Sequence, residues 1–206
     1  MPVEHKRSGG RWGTVRGRRY AHAVLAIVPV KDLGGAKTRL APILSEDARA
    51  RLVLEMLERV LVACGQASAI ARTLLVTPDP SLGREGVDVL VDAGRGHTEA
   101  IELALADERA TGGALVVMAD CPLVTAESLD RLAAAARPLA IAPARDGGVN
   151  AVALRAVNGY RPRFGVPVET MLEDGRAAGL DPVVVEDPAL ALDVDRPEDY
   201  SLLLAQ

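Results

Sequence analysis

The amino-acid sequence predicts an α/β fold in three layers: a mostly parallel sheet with helices on both faces and one antiparallel strand pair. Short apolar runs alternate with stretches of helical period through most of the 206 residues, the pattern of strand–helix–strand crossovers. Apolar residues make up 49% of the chain and aromatic ones only 2%, so the core must be Val, Leu, Ala and Ile. That palette suits helices packed on a buried parallel sheet. The antiparallel pair is signalled by Arg145-Asp-Gly-Gly148, a tight-turn composition between two apolar runs.

The first strand is expected over residues 23–30, breaking at Pro29. Ser45 is placed to cap a helix in which Val53, Met56, Leu57, Val60, Leu61 and Cys64 recur on one face at three- and four-residue spacing. Strands are expected at 73–77, 87–91 and 114–118, with helices over 98–107 and, after a Thr125 cap, over 128–137. The runs flanking the Asp-Gly-Gly turn predict strands at 139–144 and 149–155, followed by a helix over 169–178 and a strand at 183–185. Asp195-Arg-Pro-Glu198 has the form of a last helix start, with Asp195 as cap, Pro197 in the first turn and Glu198 three residues after the cap. In a sheet of this kind ligands lie at the carboxyl ends of the strands.

With this length, no internal repeat and no low-complexity linker, residues 21–206 are expected to form one domain. Residues 1–20 differ. They hold six cations (Lys6, Arg7, Arg11, Arg16, Arg18 and Arg19) against Glu4, with glycines and no apolar period, which predicts a disordered, solvated basic arm. Removing those six and one from the chain's 24 basic and 28 acidic residues leaves 18 and 27, a net charge of −9 on the body. Such a body repels nucleic acid. No apolar run reaches the length of about 18 residues that a membrane span needs, and no signal-peptide pattern is present. Cytoplasm is the expected location, with no membrane partner. Cys64 and Cys121 are too few for a disulfide framework and lack metal-ligand spacing. A homodimer through an edge strand, or through the hairpin near residues 145–149, is an open expectation.

The chemistry is expected to start in the loop after the first strand, where Gly34 and Gly35 precede Lys37 and Arg39. An apolar strand, a glycine turn and clustered cations bring backbone and positive charge close to a polyphosphate. The loop is not a P-loop, because Ala36 and Lys31 stand where that motif requires glycines. Asp120 follows an apolar strand and precedes Cys121-Pro122, so it belongs at a strand's carboxyl end, though capping of the next turn would also explain it. Asp193 and Asp195, two residues apart, share a face when extended, about 6–7 Å from each other. One or two carboxylates plus phosphate oxygens and water are what Mg²⁺ takes as ligands. The capping role read for Asp195 favours Asp193 as the ligand. A third loop, Gly94-Arg-Gly-His-Thr98, allows close ligand approach but fails the dinucleotide fingerprint, since Glu99 replaces its last glycine. Only three histidines (His5, His22 and His97) argue against a histidine metal site or a hydrolase triad.

Five segments occur together in a recognisable order: the loop from Pro29 to Pro42, Ala119-Asp-Cys-Pro-Leu123, Asp146-Gly-Gly-Val-Asn150, Arg163-Phe-Gly165 and Asp193-Val-Asp-Arg-Pro-Glu-Asp199. With them the chain resembles, over residues 23–205, the CofC-type guanylyltransferases of coenzyme F(420) biosynthesis. That family activates 2-phospho-L-lactate, phosphoenolpyruvate or 3-phospho-D-glycerate with GTP. The resemblance implies a Rossmann-like sandwich of the nucleotide-diphospho-sugar transferase type. It implies that Lys31, Lys37 and Arg39 meet the GTP phosphates, that Pro29 belongs to the same nucleotide-binding set, and that Gly94, Gly96 and Thr98 lie near the nucleoside. Asp120 with Asp193 or Asp195 would hold Mg²⁺, and Lys37, Arg39 and Asp120 would be catalytic. The small phosphorylated acid would sit near Asn150, Gly165 and Val168.

One departure stands out. Val168 occupies the position at which the family usually offers a serine to the acceptor, leaving only a backbone amide to serve there. Rival readings are a molybdenum-cofactor-type guanylyltransferase, a glycosyltransferase using Asp193-Val-Asp195 as its metal motif, and a silent nucleotide-binding module.

Overall fold

Residues 23–31, 35–110, 112–156 and 159–206 are described by a computed structural model. The basic arm and Gly34 lie outside them. Among the described residues seven strands form one sheet: β1 (Val24–Pro29), β2 (Ile70–Thr77), β3 (Val87–Val91), β4 (Ala114–Val117), β5 (Leu139–Pro143), β6 (Val149–Leu154) and β7 (Pro182–Val184). Their spatial order is β3-β2-β1-β4-β6-β5-β7. Six strands run parallel and β6 alone runs against its neighbours β4 and β5. β1, β4 and β6 are buried at every position, as in strands covered on both faces, and Asn150 of β6 is the one polar residue among them.

The helices are α1 (Glu46–Gln66), α2 (His97–Leu105), α3 (Ala126–Ala135), α4 (Val168–Ala177), α5 (Pro188–Ala191) and α6 (Pro197–Leu204). Two expected caps are present. The Ser45 hydroxyl accepts from the Ala48 amide at 3.3 Å, and Thr125 and Ser128 each accept from the other's amide at 3.1 Å. α1 buries Leu52, Val53, Met56, Leu57, Val60, Leu61 and Cys64, the face read from the sequence. It packs beside α3 and over β2, while α2 covers β1 and β2. The short helix α5, capped by Asp187, was not expected: four residues of Pro-Ala-Leu-Ala carry no helical period.

The start of α6 corrects a sequence expectation. Its N-cap is Arg196, not Asp195. The Asp199 carboxylate folds back to accept from the Arg196 amide at 2.8 Å and the Asp195 amide at 3.1 Å. The Asp195 side chain is thereby free to serve the site. The hairpin near residues 145–149 is also no sheet edge, since β6 lies between β4 and β5, and β5 between β6 and β7. Among the described residues the edge strands of the sheet are β3 and β7.

The reversed strand matters for function. Gly147, with φ 89, closes the turn between β5 and β6, and Asp146 Oδ1 accepts from the Gly148 amide at 2.9 Å. Running backwards, β6 brings its amino end to the edge where the other six strands end. Asn150 thus reaches the end of β4, where its carbonyl accepts from the Met118 amide at 2.9 Å.

Candidate active site

Beyond β1, the Val30 amide donates to the Val76 carbonyl at 2.8 Å, and the chain then turns through residues 35–40. Lys37 adopts the left-handed region at φ 54, rare for a residue with a Cβ and a mark of functional segments. Leu40, fully buried, anchors this loop in a small cluster with Leu52, Val53 and Met56 of α1 and with Val194. Val194 is the inward residue of Asp193-Val-Asp195, so one apolar cluster holds both the cationic loop and the acidic pair.

The acids converge on the end of β4. Asp120 lies just past that strand, and its carbonyl accepts from the Val194 amide at 3.2 Å, tying the two segments together. One carboxylate oxygen from each of Asp120, Asp193 and Asp195 lies within 4.8 Å of the others. Lys37 Nζ donates to Asp120 Oδ2 and, at 2.6 Å, to Asp195 Oδ1. Arg39 stands 3.5 Å from the other oxygen of Asp195. Asn150 is buried, and its amide nitrogen donates to Asp193 Oδ1 at 3.2 Å and to the carbonyls of Leu190 and Ala191 at 2.9 and 3.3 Å. With its donors committed inside the fold, Asn150 orients Asp193.

Charge follows this geometry. Burial, then the nearby Asp120 carboxylate, pushes the Asp193 carboxyl up to about 6, against the pull of the Asn150 hydrogen bond. Burial would also raise Asp195, but the Lys37 ammonium, its hydrogen bond and Arg39 overcome it and hold Asp195 low. Burial works to lower Lys37, and its two carboxylate partners raise it instead, so its positive charge is secure. His97 is held below its ordinary value by burial and by Lys31. The Cys121 thiol is raised well above its usual range, chiefly by burial, and stays protonated, which removes it as a nucleophile.

Three converging carboxylates with a cation already among them have the donor chemistry of a hard-metal site. They face a cleft of about 830 Å³ along the carboxyl edge of the sheet. Of the residues singled out in the sequence, Pro29, Lys31, Lys37, Arg39, Gly94, Thr98, Asp120, Asn150, Gly165, Asp193 and Asp195 line it. Two do not. Gly96 is the N-cap of α2, and Val168 opens α4 with its amide already donating to the Gly147 carbonyl at 2.9 Å. That amide is therefore committed and does not stand free to replace the family's serine. The cleft also includes His97, Asp146 and Phe164, which the sequence reading did not assign. Asp146 and Phe164 lie inside quoted motifs, and His97 is the first residue of α2, so a signal existed for each.

The profile of the family described as "Guanylyl transferase CofC like" matches residues 24–205. A phosphoenolpyruvate guanylyltransferase of Sphaerobacter thermophilus is 39% identical over 190 residues, 87% of this chain and 91% of that one. A 3-phospho-D-glycerate guanylyltransferase of Phenylobacterium zucineum is 36% identical, with 84% and 86% covered. A 2-phospho-L-lactate guanylyltransferase of Methanopyrus kandleri is 32% identical, with 84% and 87% covered. A Desulfovibrio desulfuricans structure designated a nucleotide-diphospho-sugar transferase superposes with a TM-score of 0.65 at 22% identity, over 87% of this chain and 85% of that one, and shows the shared fold. On these matches the chain belongs to the CofC-like guanylyltransferase family.

Proposed function

We propose that the protein transfers the GMP moiety of GTP to the phosphate of a small phosphorylated three-carbon acid, with release of pyrophosphate. The observation that carries this reading is the convergence of Lys37 with Asp120, Asp193 and Asp195 in a cleft whose chain belongs to this family. A phosphate oxygen of the acceptor forms the new bond to the α-phosphorus of GTP. The bond from that phosphorus to the bridging oxygen breaks, and pyrophosphate leaves with the electron pair. A phosphate monoester is already anionic near neutral pH, its second pKa being about 6, so no general base is needed. The protonated Cys121 and the lowered His97 accord with that economy.

Each residue's task follows from its position. Lys37 and Arg39 neutralise the charge that builds on the leaving pyrophosphate, and Lys31 extends the same positive wall. Gly94 and Thr98 border the nucleoside, while Asp146, Phe164 and Gly165 border the acceptor. Asp120, Asp193 and Asp195 would hold Mg²⁺, with Asn150 orienting Asp193. When bound, the metal supplies Lewis-acid stabilisation of phosphate charge. The relatives' names cover three acceptors, and Val168, at the position where the family usually has a serine, offers no side-chain hydroxyl to choose among them.

The test is pyrophosphate release from GTP and Mg²⁺ with phosphoenolpyruvate, 2-phospho-L-lactate or 3-phospho-D-glycerate supplied singly. Turnover with at least one acid is expected. Turnover only with a sugar phosphate, or GTP binding without turnover under every acceptor, would overturn the proposal.

A further inference from the structure

Among the described residues one buried side-chain oxygen has no hydrogen-bonding partner, Oδ1 of Asp92. None of the ion pairs among those residues includes this carboxylate. A shielded acceptor left unpaired is costly, and in a native fold such a group calls for an explanation in function or in a missing partner.

Its place in the fold narrows the choice. Asp92 directly follows β3, and its amide donates to the Thr77 carbonyl at 3.2 Å, extending the β2–β3 ladder at the carboxyl edge of the sheet. Gly94, two residues on, lines the cleft, as do His97 and Thr98. The strand order puts β3 three positions from β4, so Asp92 stands about 14 Å along the edge from Asp120. A nucleotide with its phosphates over Lys37 and the acid cluster carries its base to the far end of such a span. The opposite direction, toward β6, leads to Asp146 and Asn150 and is required for the acceptor. Ala93, Gly94 and Arg95 are exposed, and Gly94 has φ 68, so the segment after Asp92 is lightly packed and can give way as a base enters.

The chemistry of the group then identifies the base. An ionised carboxylate offers two acceptor oxygens and no donor. Guanine presents two adjacent donors on one edge, N1–H and the 2-amino group. Adenine places the unprotonated acceptor N1 at the same edge. We infer that the Asp92 carboxylate selects guanine by accepting from N1–H and the 2-amino group. This rests on GTP being the nucleotide substrate, as proposed above.

The experiment measures Mg²⁺-dependent affinity of the full chain for GTP, inosine triphosphate, xanthosine triphosphate and 2′-deoxy-GTP, by displacement of a fluorescent GTP analogue. The unmodified protein should prefer GTP over inosine triphosphate, which lacks the 2-amino group, by at least about tenfold, as expected for one lost hydrogen bond to a charged group. Equal affinity for the two would overturn the assignment without recourse to any variant. Asp92→Asn is nearly isosteric. It should weaken GTP about 10–100-fold and shift the GTP to xanthosine triphosphate ratio at least tenfold toward xanthosine, because an amide N–H then meets the 2-oxo group.

A variant with that ratio unmoved would sink the inference. So would a variant that loses only its preference for GTP over 2′-deoxy-GTP, which would put the carboxylate on the ribose. If the unmodified protein binds no nucleoside triphosphate, the proposed function fails as well. If it binds GTP and the variant's ratio is unmoved, the assignment of Asp92 alone fails.

Discussion

Lys37 Nζ lies 2.6 Å from Asp195 Oδ1, although 158 positions separate the two residues, and the same ammonium also donates to Asp120. A side chain only 10% exposed thus neutralises two of the three carboxylates that a metal ion would need. On the proposed reading, a metal ion would have to compete with this ammonium for the same oxygens, and a polyphosphate would offer Lys37 another partner.

Replacing Lys37 by Met should therefore have opposite effects on two measurements. Turnover should fall by about 10²–10³, the usual loss on removing one charge-stabilising group. Binding of Mn²⁺ or Mg²⁺ in the absence of nucleotide, followed by calorimetry, should tighten. Weaker metal binding in Lys37→Met would contradict the competition.

Asp193 makes the metal response depend on pH. Its folded pKa, pushed up to about 6 by burial and Asp120, lies above the ordinary 3.8. A raised carboxyl favours the protonated fold, so its contribution is complete below about pH 4 and is lost as pH rises through 6. The metal-free protein should lose that share of its thermal stability across this window, and Mg²⁺ should restore it by favouring the ionised form. The Mg²⁺-induced rise in Tm should accordingly be larger at pH 7.5 than at pH 5, and Asp193→Asn should flatten the trend. Equal Mg²⁺ shifts at the two pH values would refute this account.

Asp120→Asn leaves the shape of the site almost unchanged and removes one metal-ligand charge. It should retain the fold by circular dichroism, lose most of the Mg²⁺-induced rise in Tm, and turn over about 10²–10³ times more slowly. Near wild-type pyrophosphate release would remove Asp120 from the catalytic set.

Leu40 tests the coupling between packing and chemistry. Truncating a fully buried leucine to alanine costs about 2–5 kcal/mol, and here the cavity would open under both Lys37 and Val194. Denaturant unfolding should report that loss, with activity falling at temperatures where the protein stays folded. Leu204→Ala, at a position 71% exposed, should change stability by no more than about 0.5 kcal/mol and leave turnover alone.

Local signals in the sequence translated well into structure. The Ser45 and Thr125 caps, the buried face of α1 and the Asp-Gly-Gly turn each depend on residues a few positions apart, and each is present. Asp120 was legible as a strand-end acid because its flanking residues are so plainly apolar. The start of α6 differs because two capping frames overlap by one residue: Asp199 caps the Arg196 frame, and the Asp195 side chain accepts from the remote Lys37 instead. Asn150 lines the cleft, as expected of a ligand contact, but its second task of orienting Asp193 is not legible locally. Its internal partners at Leu190, Ala191 and Asp193 are 40 or more positions away and leave no local trace. The insertion of β6 between β4 and β5 is equally non-local, since nothing in either run states which neighbour it will take.

The reversal of β6 has a consequence for how the enzyme can diversify. Residues up to Asp120 build the wall assigned to the nucleotide, and residues 144–165 build the one assigned to the acceptor, with only 193–195 returning to bridge them. If the proposed assignment holds, substrate preference could drift by exchange of one contiguous cassette, the β5–β6 turn and the segment leading to α4, without touching the residues assigned to GTP.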